Sequence, residues 1–181
     1  MRLVILDRDG VINHDSPDFI RSAGEWRPIP GSLEAIATLT QAGVTIAVAT
    51  NQSGIGRGLF DMPTLEAIHA RMLEKVEAAG GRIETIAICP HRPDEGCDCR
   101  KPGTGMLEQI AARLGASLTG VPFIGDSKRD IEAARAADAR PILVLTGDGR
   151  RTAASLDPVQ MPEVFDDLAA AAKSLIREAR D

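Results

Sequence analysis

The 181 residues of the chain are 44% hydrophobic and 26% charged, which is enough apolar material for one compact domain over residues 1–181. Because 26 acidic residues outweigh 21 basic ones and only 3% of residues are aromatic, the composition disfavours a nucleic-acid partner, which needs basic surface and base-stacking side chains. No run approaches the ~20 apolar residues that cross a bilayer and a strand begins at the N-terminus, so we expect a cytoplasmic protein with no membrane partner.

Short apolar runs alternate with amphipathic stretches along the chain. The apolar runs predict five strands, at residues 3–6, 44–50, 83–89, 121–126 and 141–147. Helices are predicted from the expected N-cap Ser32 to residue 43, from Pro63 to residue 80, around 107–115, from beyond 126 to about 137, and over 166–179. This alternation predicts an α/β fold: one Rossmann-like parallel sheet of about five strands, flanked by helices, with no large cap domain.

Polar side chains follow three of the predicted strands. Asp7 and Asp9 come directly after the first strand, Thr50 and Asn51 end the second, and Asp126 ends the fourth. In parallel sheets ligands bind beyond the carboxyl ends of the strands, so these residues should share one rim. Residues two apart on a strand share a face, and two crowded carboxylates favour a compensating Mg²⁺ ion. The alternative is that Asp7 and Asp9 only shape a turn.

Two further segments suit a phosphate group. The stretch from Thr50 to Ser53, followed by Gly54, Gly56 and Gly58, offers hydroxyl and backbone N–H groups that can cradle an anion. Lys101 offers a point charge and Arg100 a planar fork for oxygen ligands. Read singly, the glycine-rich stretch is an ordinary tight turn and the Arg-Lys pair an ordinary solvated surface; their place on the rim favours phosphate binding.

The segments "DRDGVI", "ATN", "RKP" and "GDSKRD", in this order, resemble the four motifs of the haloacid dehalogenase superfamily of phosphohydrolases. The resemblance implies that Asp7 is a nucleophile that forms an aspartyl-phosphate and that Asp9 is the general acid and then the base. It also implies that Thr50 and Lys101 stabilise the phosphoryl oxygens. The implied Mg²⁺ ligands are Asp7, the backbone carbonyl of Asp9, and Asp126; whether Ser127 or Asp130 also contacts the metal is left open.

All three cysteines lie in one loop, "CPHRPDEGCDC", residues 89–99. Cys89, His91, Cys97 and Cys99 match the Cys₃His set of closed structural zinc sites, and a metal would order a loop that is poor in apolar groups. We therefore expect a structural Zn²⁺ ion that holds Arg100 and Lys101 at the rim. A redox pair or plain buried thiols are the alternatives. His69, by contrast, is predicted to lie on a helix surface.

Without a cap, substrate selection falls to loops at residues 13–18, 52–58 and 90–101, and we expect the protein to act as a monomer on a small phosphorylated sugar. Two zinc-loop subgroups of the superfamily are candidates: one hydrolyses a heptose bisphosphate for lipopolysaccharide precursors, the other histidinol phosphate. "DRDGVINHD", "TNQSGIGRG" and "KPGTGM" resemble the heptose subgroup more. A phosphoryl transferase or mutase, and a catalytically silent phosphosugar-binding protein, are weaker alternatives. The candidate substrate-binding residues are Asp15, Ser16, Pro17, Asp18, Asn51, Gln52, Ser53, Arg57 and Arg100.

Overall fold

Six parallel strands form the centre of the protein in the computed structural model, which describes residues 2–179. The strands are β1 (Arg2–Leu6), β2 (Val44–Asn51), β3 (Thr85–Cys89), β4 (Pro122–Gly125), β5 (Arg140–Val144) and β6 (Glu163–Phe165). The helices are α1 (Ser32–Gln41), α2 (Met62–Ala78), α3 (Gly105–Leu114), α4 (Lys128–Ala136), α5 (Gly149–Ser155) and α6 (Leu168–Glu178), with short 3₁₀ turns at Ala23–Glu25 and Pro158–Gln160. Among these helices none combines the length and hydropathy that a membrane crossing needs.

Alternation along the strands builds two apolar layers. On one face Val4 and Leu6 pack with helices α1, α2 and α6, and on the other Leu3 and Ile5 pack with α3 and α4. Because both faces are covered, the strands read as nearly continuous apolar runs rather than as alternating ones. The predicted single parallel sheet, flanked by helices and lacking a cap domain, is confirmed.

The strand order is β3-β2-β1-β4-β5-β6, so the connections run in opposite directions from β1 and from β4. This change of direction opens a crevice beyond the carboxyl ends of β1 and β4, which is where open α/β sheets bind ligands. Asp7 follows β1 and Asp126 follows β4. The fold therefore places the two aspartates side by side at its topological switch point.

Two sequence-based predictions of local structure were wrong, and two short elements were missed. Ser32 is the first helical residue of α1 rather than its N-cap, and its hydroxyl donates to the carbonyl of Ile12 at 2.6 Å. The fifth strand ends at Val144 instead of residue 147, because Thr146 turns to donate its hydroxyl to the carbonyl of Gly10 at 2.6 Å. The edge strand β6 was not predicted, since its exposed residues leave no apolar run. The short helix α5, of 7 residues, was not predicted either.

Candidate active site

Asp7 is buried at the base of a cavity of about 350 Å³. Its backbone N–H donates to the carbonyl of Ile124 on β4 at 2.9 Å, which fixes the residue between the two central strands. Its Oδ1 accepts from the backbone N–H of Arg8 at 2.7 Å and lies 2.9 Å from Lys101 Nζ. Within residues 2–179 no group donates to Oδ2 of Asp7, so this oxygen keeps its lone pairs for a ligand.

Lys101 is a buried cation held by three oxygen atoms. Its ammonium group contacts Asp7 Oδ1 at 2.9 Å, Asp130 Oδ1 at 2.7 Å and the carbonyl of Ala49 at 2.9 Å, and its side chain is only 2% exposed. Burial opposes the charge, but Asp130 and Asp7 outweigh it and raise the pKa of Lys101. A fixed positive charge therefore lies directly against Asp7.

Asp130 connects this lysine to the start of α4. Its Oδ2 accepts from the backbone N–H of Ser127 at 3.0 Å and from the Ser127 hydroxyl at 2.7 Å, which completes a capping box. Burial acts against ionisation, yet Lys101 and Ser127 lower the pKa of Asp130. With both oxygens engaged, Asp130 is placed to position Lys101, and the Ser127 side chain is used in the cap.

Asp126 is held in place by the turn that precedes α5. The backbone N–H of Asp148 donates to Asp126 Oδ2 at 2.8 Å, and the Thr152 hydroxyl donates to the Asp126 carbonyl at 2.8 Å. Gly10 packs against the carboxylate with a φ of +81°, and a Cβ there would overlap the Asp126 oxygens. Glycine is therefore required at this position both by backbone conformation and by space.

The carboxylates suit a divalent cation. Oxygens of Asp7, Asp126 and Asp130 lie within 4.8 Å of one another. Burial and the negative charge of Asp130 raise the pKa of Asp7 well above its usual range, and the same two causes raise the pKa of Asp126 to about 7. A hard cation with oxygen ligands would relieve this repulsion. Because Asp130 already pairs with Lys101, Asp7 and Asp126 fit such an ion best.

Asp9 lies on the cavity wall with its side chain 20% exposed. Its Oδ1 accepts from Arg8 Nη2 at 2.9 Å and from Asn13 Nδ2 at 2.8 Å, and its Oδ2 accepts from Gln52 Nε2 at 2.9 Å. Gln52 also donates to the Thr50 hydroxyl at 2.9 Å. Asp9 therefore faces the same cavity as Asp7, as the two-residue spacing predicted, and is tightly restrained there.

The prediction that His69 lies on a helix surface was wrong. His69 is 9% exposed, on the inner face of α2, and its Nε2 lies 3.2 Å from Nη1 of Arg8, which is 1% exposed. Burial and the positive charge of Arg8 lower the pKa of His69 to about 3, so the imidazole is neutral and accepts from the guanidinium. The buried arginine supplies the polar partner that a helical pattern cannot show.

The predicted substrate-binding residues do not all line the cavity. Pro17 lies outside the cavity lining, and Asp18 lines a neighbouring pocket. Asn51 reaches the cavity, but its amide exchanges hydrogen bonds with the backbone of Lys101 at 3.2 and 3.1 Å, which fixes that lysine. Thr50, which was predicted to stabilise the phosphoryl oxygens, is fully buried and lies outside the cavity lining. The other predicted residues on the lining are Asp15, Ser16, Gln52, Ser53, Arg57 and Arg100.

Six lining residues were missed from the sequence. Phe19 directly follows the predicted loop at residues 13–18 and has a φ of +63°. Its ring centroid lies 5.9 Å from the Arg57 guanidinium, so it connects that loop with the loop at residues 52–58. Arg8 lies inside the "DRDGVI" motif and Arg129 inside the "GDSKRD" motif, and these two motifs were the signals that could have found them. The others show no signal in the sequence, because the fold alone brings their loops together. The full set is Arg8, Phe19, Ile20, Pro93, Arg129 and Asp148.

One side of the cavity is basic. Arg57, Arg100 and Arg129 all reach its lining. Burial and the proximity of Arg129 lower the pKa of Arg100, because the guanidinium charges repel one another. An anionic group bound between them would relieve that repulsion, and a guanidinium fork suits a phosphate. This side of the cavity therefore suits a second anionic group, beyond the one held near Asp7.

Four soft donors meet in the loop after β3. Cys89 Sγ lies 3.1 Å from Cys99 Sγ and 3.6 Å from Cys97 Sγ, and His91 Nδ1 lies 3.2 Å from Cys99 Sγ. All three cysteines are free thiols. With Zn–S bonds of about 2.3 Å, a tetrahedral site has S–S edges of roughly 3.8 Å, close to these separations. The donors therefore fit a four-coordinate zinc ion with no open position.

We expect Cys97→Ser to destabilise the protein by about 2 kcal/mol, a fall in Tm of roughly 4–8 °C, because one thiolate of the zinc site is lost. The KM should rise for a phosphate ester that carries a second anionic group, since Arg100 Nη1 donates to the His91 carbonyl at 3.4 Å and loosens with the loop. Elemental analysis should find about one zinc per chain in the wild type.

Asp94→Asn is the matched control for Cys97→Ser, because Asp94 is an exposed residue of the same loop outside the donor set. It should leave zinc content and Tm unchanged. A purified wild-type protein that contains no zinc and is nonetheless folded and active would contradict the zinc assignment.

Comparisons with known proteins identify the family to which the chain belongs. A family model described as HAD-hydrolase-like matches residues 98–171. A D-glycero-beta-D-manno-heptose-1,7-bisphosphate 7-phosphatase of Pseudomonas aeruginosa is 57% identical over 178 residues, which is 97% of this chain and 98% of the relative. The corresponding enzyme of Bordetella bronchiseptica is 52% identical over 99% of this chain and 100% of its own.

Solved structures extend the similarity to the fold. The structure of D,D-heptose 1,7-bisphosphate phosphatase from B. bronchiseptica, complexed with magnesium and phosphate, has a TM-score of 0.94 and 52% identity and covers 98% of this chain and 99% of that one. The enzyme from Burkholderia thailandensis has a TM-score of 0.76 and 44% identity, with 97% and 99% covered. The chain therefore belongs to the D-glycero-D-manno-heptose-1,7-bisphosphate 7-phosphatase family of the haloacid dehalogenase superfamily, and is a phosphatase.

Proposed function

We propose that this protein removes the 7-phosphate of D-glycero-D-manno-heptose 1,7-bisphosphate through an aspartyl-phosphate on Asp7, as a step towards the nucleotide-activated heptose of lipopolysaccharide. One observation carries the proposal. Asp7, Lys101 and Asp126 meet at the switch point of the sheet, in a chain 57% identical over nearly its whole length to a phosphatase of that name. Fold alone would not carry it, because one fold serves many reactions.

In the first step, Asp7 Oδ2 attacks the phosphorus of the 7-phosphate and the bond between phosphorus and the C7 oxygen breaks. Asp9 passes its proton to that oxygen, so the sugar leaves as a neutral alcohol. Lys101, held 2.9 Å from Asp7 Oδ1, keeps a positive charge beside the transferred group. The charge is fixed before the substrate arrives and needs no reorganisation.

In the second step, Asp9, now ionised, takes a proton from a water molecule, and the water oxygen attacks the phosphorus of the aspartyl-phosphate. The bond between phosphorus and Asp7 breaks, which releases inorganic phosphate and restores the Asp7 carboxylate. Asp9 ends the cycle protonated, as it began. Atoms and protons therefore balance over the two steps with Asp7 and Asp9 alone as reacting side chains.

Two metal ions belong to this proposal. Asp7, Asp126 and the backbone carbonyl of Asp9 would hold Mg²⁺, and the B. bronchiseptica enzyme was solved with magnesium and phosphate. When bound, Mg²⁺ supplies charge neutralisation for the carboxylates and the phosphoryl oxygens. Cys89, His91, Cys97 and Cys99 would hold the structural Zn²⁺ that keeps the loop before Lys101 in place.

The anomeric phosphate of the substrate would lie among Arg57, Arg100 and Arg129. These three guanidinium groups reach one side of the cavity, and an anion there would offset the burial and the repulsion from Arg129 that lower the pKa of Arg100. Histidinol phosphate carries an ammonium group that the same arginines would repel. The relatives at 50–57% identity all carry the heptose name, which supports the heptose proposal over the histidinol one.

The remaining alternatives are weaker. A phosphoryl transferase or mutase needs water excluded from its aspartyl-phosphate, and an uncapped cavity gives water access. A silent phosphosugar-binding protein has no need of the arrangement of Asp7, Lys101 and Asp126. We further propose that the enzyme is a monomer and acts in the cytoplasm, with no nucleic-acid partner.

The test is a comparison of kcat/KM for heptose 1,7-bisphosphate and for histidinol phosphate in the presence of Mg²⁺. We expect the bisphosphate to be preferred by roughly 100-fold, since a desolvated charge-assisted contact at Arg100 contributes about 1.5–3 kcal/mol. Arg100→Ala should lower kcat/KM for the bisphosphate about 10-fold to 100-fold and for phenyl phosphate hardly at all.

Arg113→Ala is the matched control, because Arg113 is an exposed residue of α3 outside the cavity lining. It should change neither value. A higher kcat/KM for histidinol phosphate would show the heptose assignment to be wrong.

A further inference from the structure

The carboxylate of Asp9 receives more donors than any other group in the cavity. Arg8 donates from Nε to Oδ1 at 3.1 Å and from Nη2 to Oδ1 at 2.9 Å and Oδ2 at 3.1 Å. Asn13 adds a contact to Oδ1 and Gln52 one to Oδ2. A carboxylate offers about four lone-pair positions, so these five contacts leave it almost no freedom to turn.

The Arg8 guanidinium is also held on the side that faces away from Asp9. Its side chain is 1% exposed, and its remaining nitrogen, Nη1, lies 3.2 Å from His69 Nε2. Arg8 comes two residues after Leu6, so its side chain lies on the same face of the sheet as those of Val4 and Leu6. That face packs against α1, α2 and α6. His69 projects from the inner face of α2, so the helix reaches Asp9 through one imidazole and one guanidinium.

The guanidinium plane makes this connection rigid. Its five N–H donors point in fixed directions, so the orientation that brings Nε and Nη2 to Asp9 also fixes the direction of Nη1. A buried N–H without an acceptor is costly, and a neutral imidazole is an acceptor of the required kind. Without the His69 acceptor, the guanidinium of Arg8 would reorient towards other acceptors. Because it is hydrogen-bonded to Asp9, the Asp9 carboxylate would change its orientation too.

We propose that His69 and Arg8 are positioning residues for the general acid: the imidazole orients the Arg8 fork, and the fork sets the direction in which Asp9 delivers its proton. This inference rests on the proposed role of Asp9. Oδ1 accepts three of the five contacts and Oδ2 two. A protonated oxygen keeps one lone pair for a donor, so protonation of Oδ2 displaces one donor, whereas protonation of Oδ1 would displace two. The proton that Asp9 passes to the leaving group is therefore accommodated best on Oδ2.

The test uses three simple phosphate monoesters with progressively poorer leaving groups: p-nitrophenyl phosphate, phenyl phosphate and glycerol 3-phosphate. The value measured is kcat/KM, which covers the steps up to departure of the leaving group. His69→Leu removes the acceptor and keeps the volume. It should lower kcat/KM about 10-fold to 50-fold for glycerol 3-phosphate and less than about 3-fold for p-nitrophenyl phosphate, which needs no proton.

His69→Gln and His69→Asn separate the hydrogen bond from burial. Glutamine can place a carbonyl oxygen near the position of Nε2 and should retain activity on all three esters within about 3-fold, whereas asparagine is too short and should behave like leucine. This pair keeps the test decisive if the leucine variant does not fold. Met72→Ala, which removes packing from the same face of α2 but no hydrogen bond, should not change the dependence on the leaving group.

A double variant shows whether His69 acts through Asp9. In an Asp9→Asn background, His69→Leu should cause no further loss on glycerol 3-phosphate, because the group it positions is gone. Equal losses on all three esters, equal effects of glutamine and asparagine, or losses that multiply in the double variant would overturn the proposal. Because none of the esters is a heptose, a wrong sugar assignment would not affect the outcome.

Discussion

Asp7→Asn should reduce phosphate release by at least about four orders of magnitude on every ester, because an amide nitrogen or oxygen cannot replace the attacking carboxylate. In the proposed mechanism, Oδ2 of Asp7 is the reacting atom. Oδ1 is engaged by Arg8 and Lys101, whereas no group within residues 2–179 donates to Oδ2. Acid quenching during turnover should trap a phosphorylated wild-type chain and no phosphorylated variant.

The variant should remain folded, because burial and the negative charge of Asp130 raise the pKa of Asp7, and a neutral amide at this position carries neither cost. Asp138→Asn makes the same chemical change at an exposed position with a φ of +57°, which asparagine tolerates, and should be fully active. Turnover of Asp7→Asn within tenfold of wild type would contradict the assignment of the nucleophile.

Asp9→Asn should lower kcat/KM by about 10²–10⁴-fold for an alkyl phosphate, whose leaving group needs a proton. The loss should shrink for p-nitrophenyl phosphate, because that leaving group departs as an anion. Asp9 is suited to this role because its side chain borders the cavity while Arg8, Asn13 and Gln52 fix its direction. The measurement is kcat/KM across a series of esters, with Asp138→Asn again as the control.

A uniform loss across that series would mean that Asp9 acts only through the metal ion, and would remove the basis for the positioning role of His69. The two aspartates are thus separable by experiment: the nucleophile is needed equally for all esters, and the acid in proportion to how poor the leaving group is.

Much of the fold followed from the sequence because the central strands are buried on both faces. Runs such as Val44–Asn51 are apolar over most of their length, and their ends were predicted to within a few residues. The edge strand Glu163–Phe165 was not predicted because it has three residues, two of them exposed. An edge strand is defined by its hydrogen bonds to β5, which no local pattern reports.

The candidate site was predictable where its residues follow strands in order. Alternation along the chain places Asp7 and Asp9 towards one cavity, and parallel topology brings Asp126 beside them. The same alternation places Arg8 on the opposite face, but its partner His69 lies 61 residues away on α2. A lone histidine on an amphipathic helix has the same pattern whether it is solvated or buried against a cation, so its role required the structure.

The most direct test of the proposed function is ³¹P nuclear magnetic resonance of D-glycero-D-manno-heptose 1,7-bisphosphate incubated with the enzyme and Mg²⁺. The phosphate held near Asp7 should be the one on the primary alcohol, because we propose that the anomeric phosphate binds among Arg57, Arg100 and Arg129, which line the same cavity. We predict that the resonance of the C7 phosphate is replaced by that of inorganic phosphate while the anomeric resonance persists. Loss of the anomeric phosphate, or a spectrum that does not change, would contradict the proposed function.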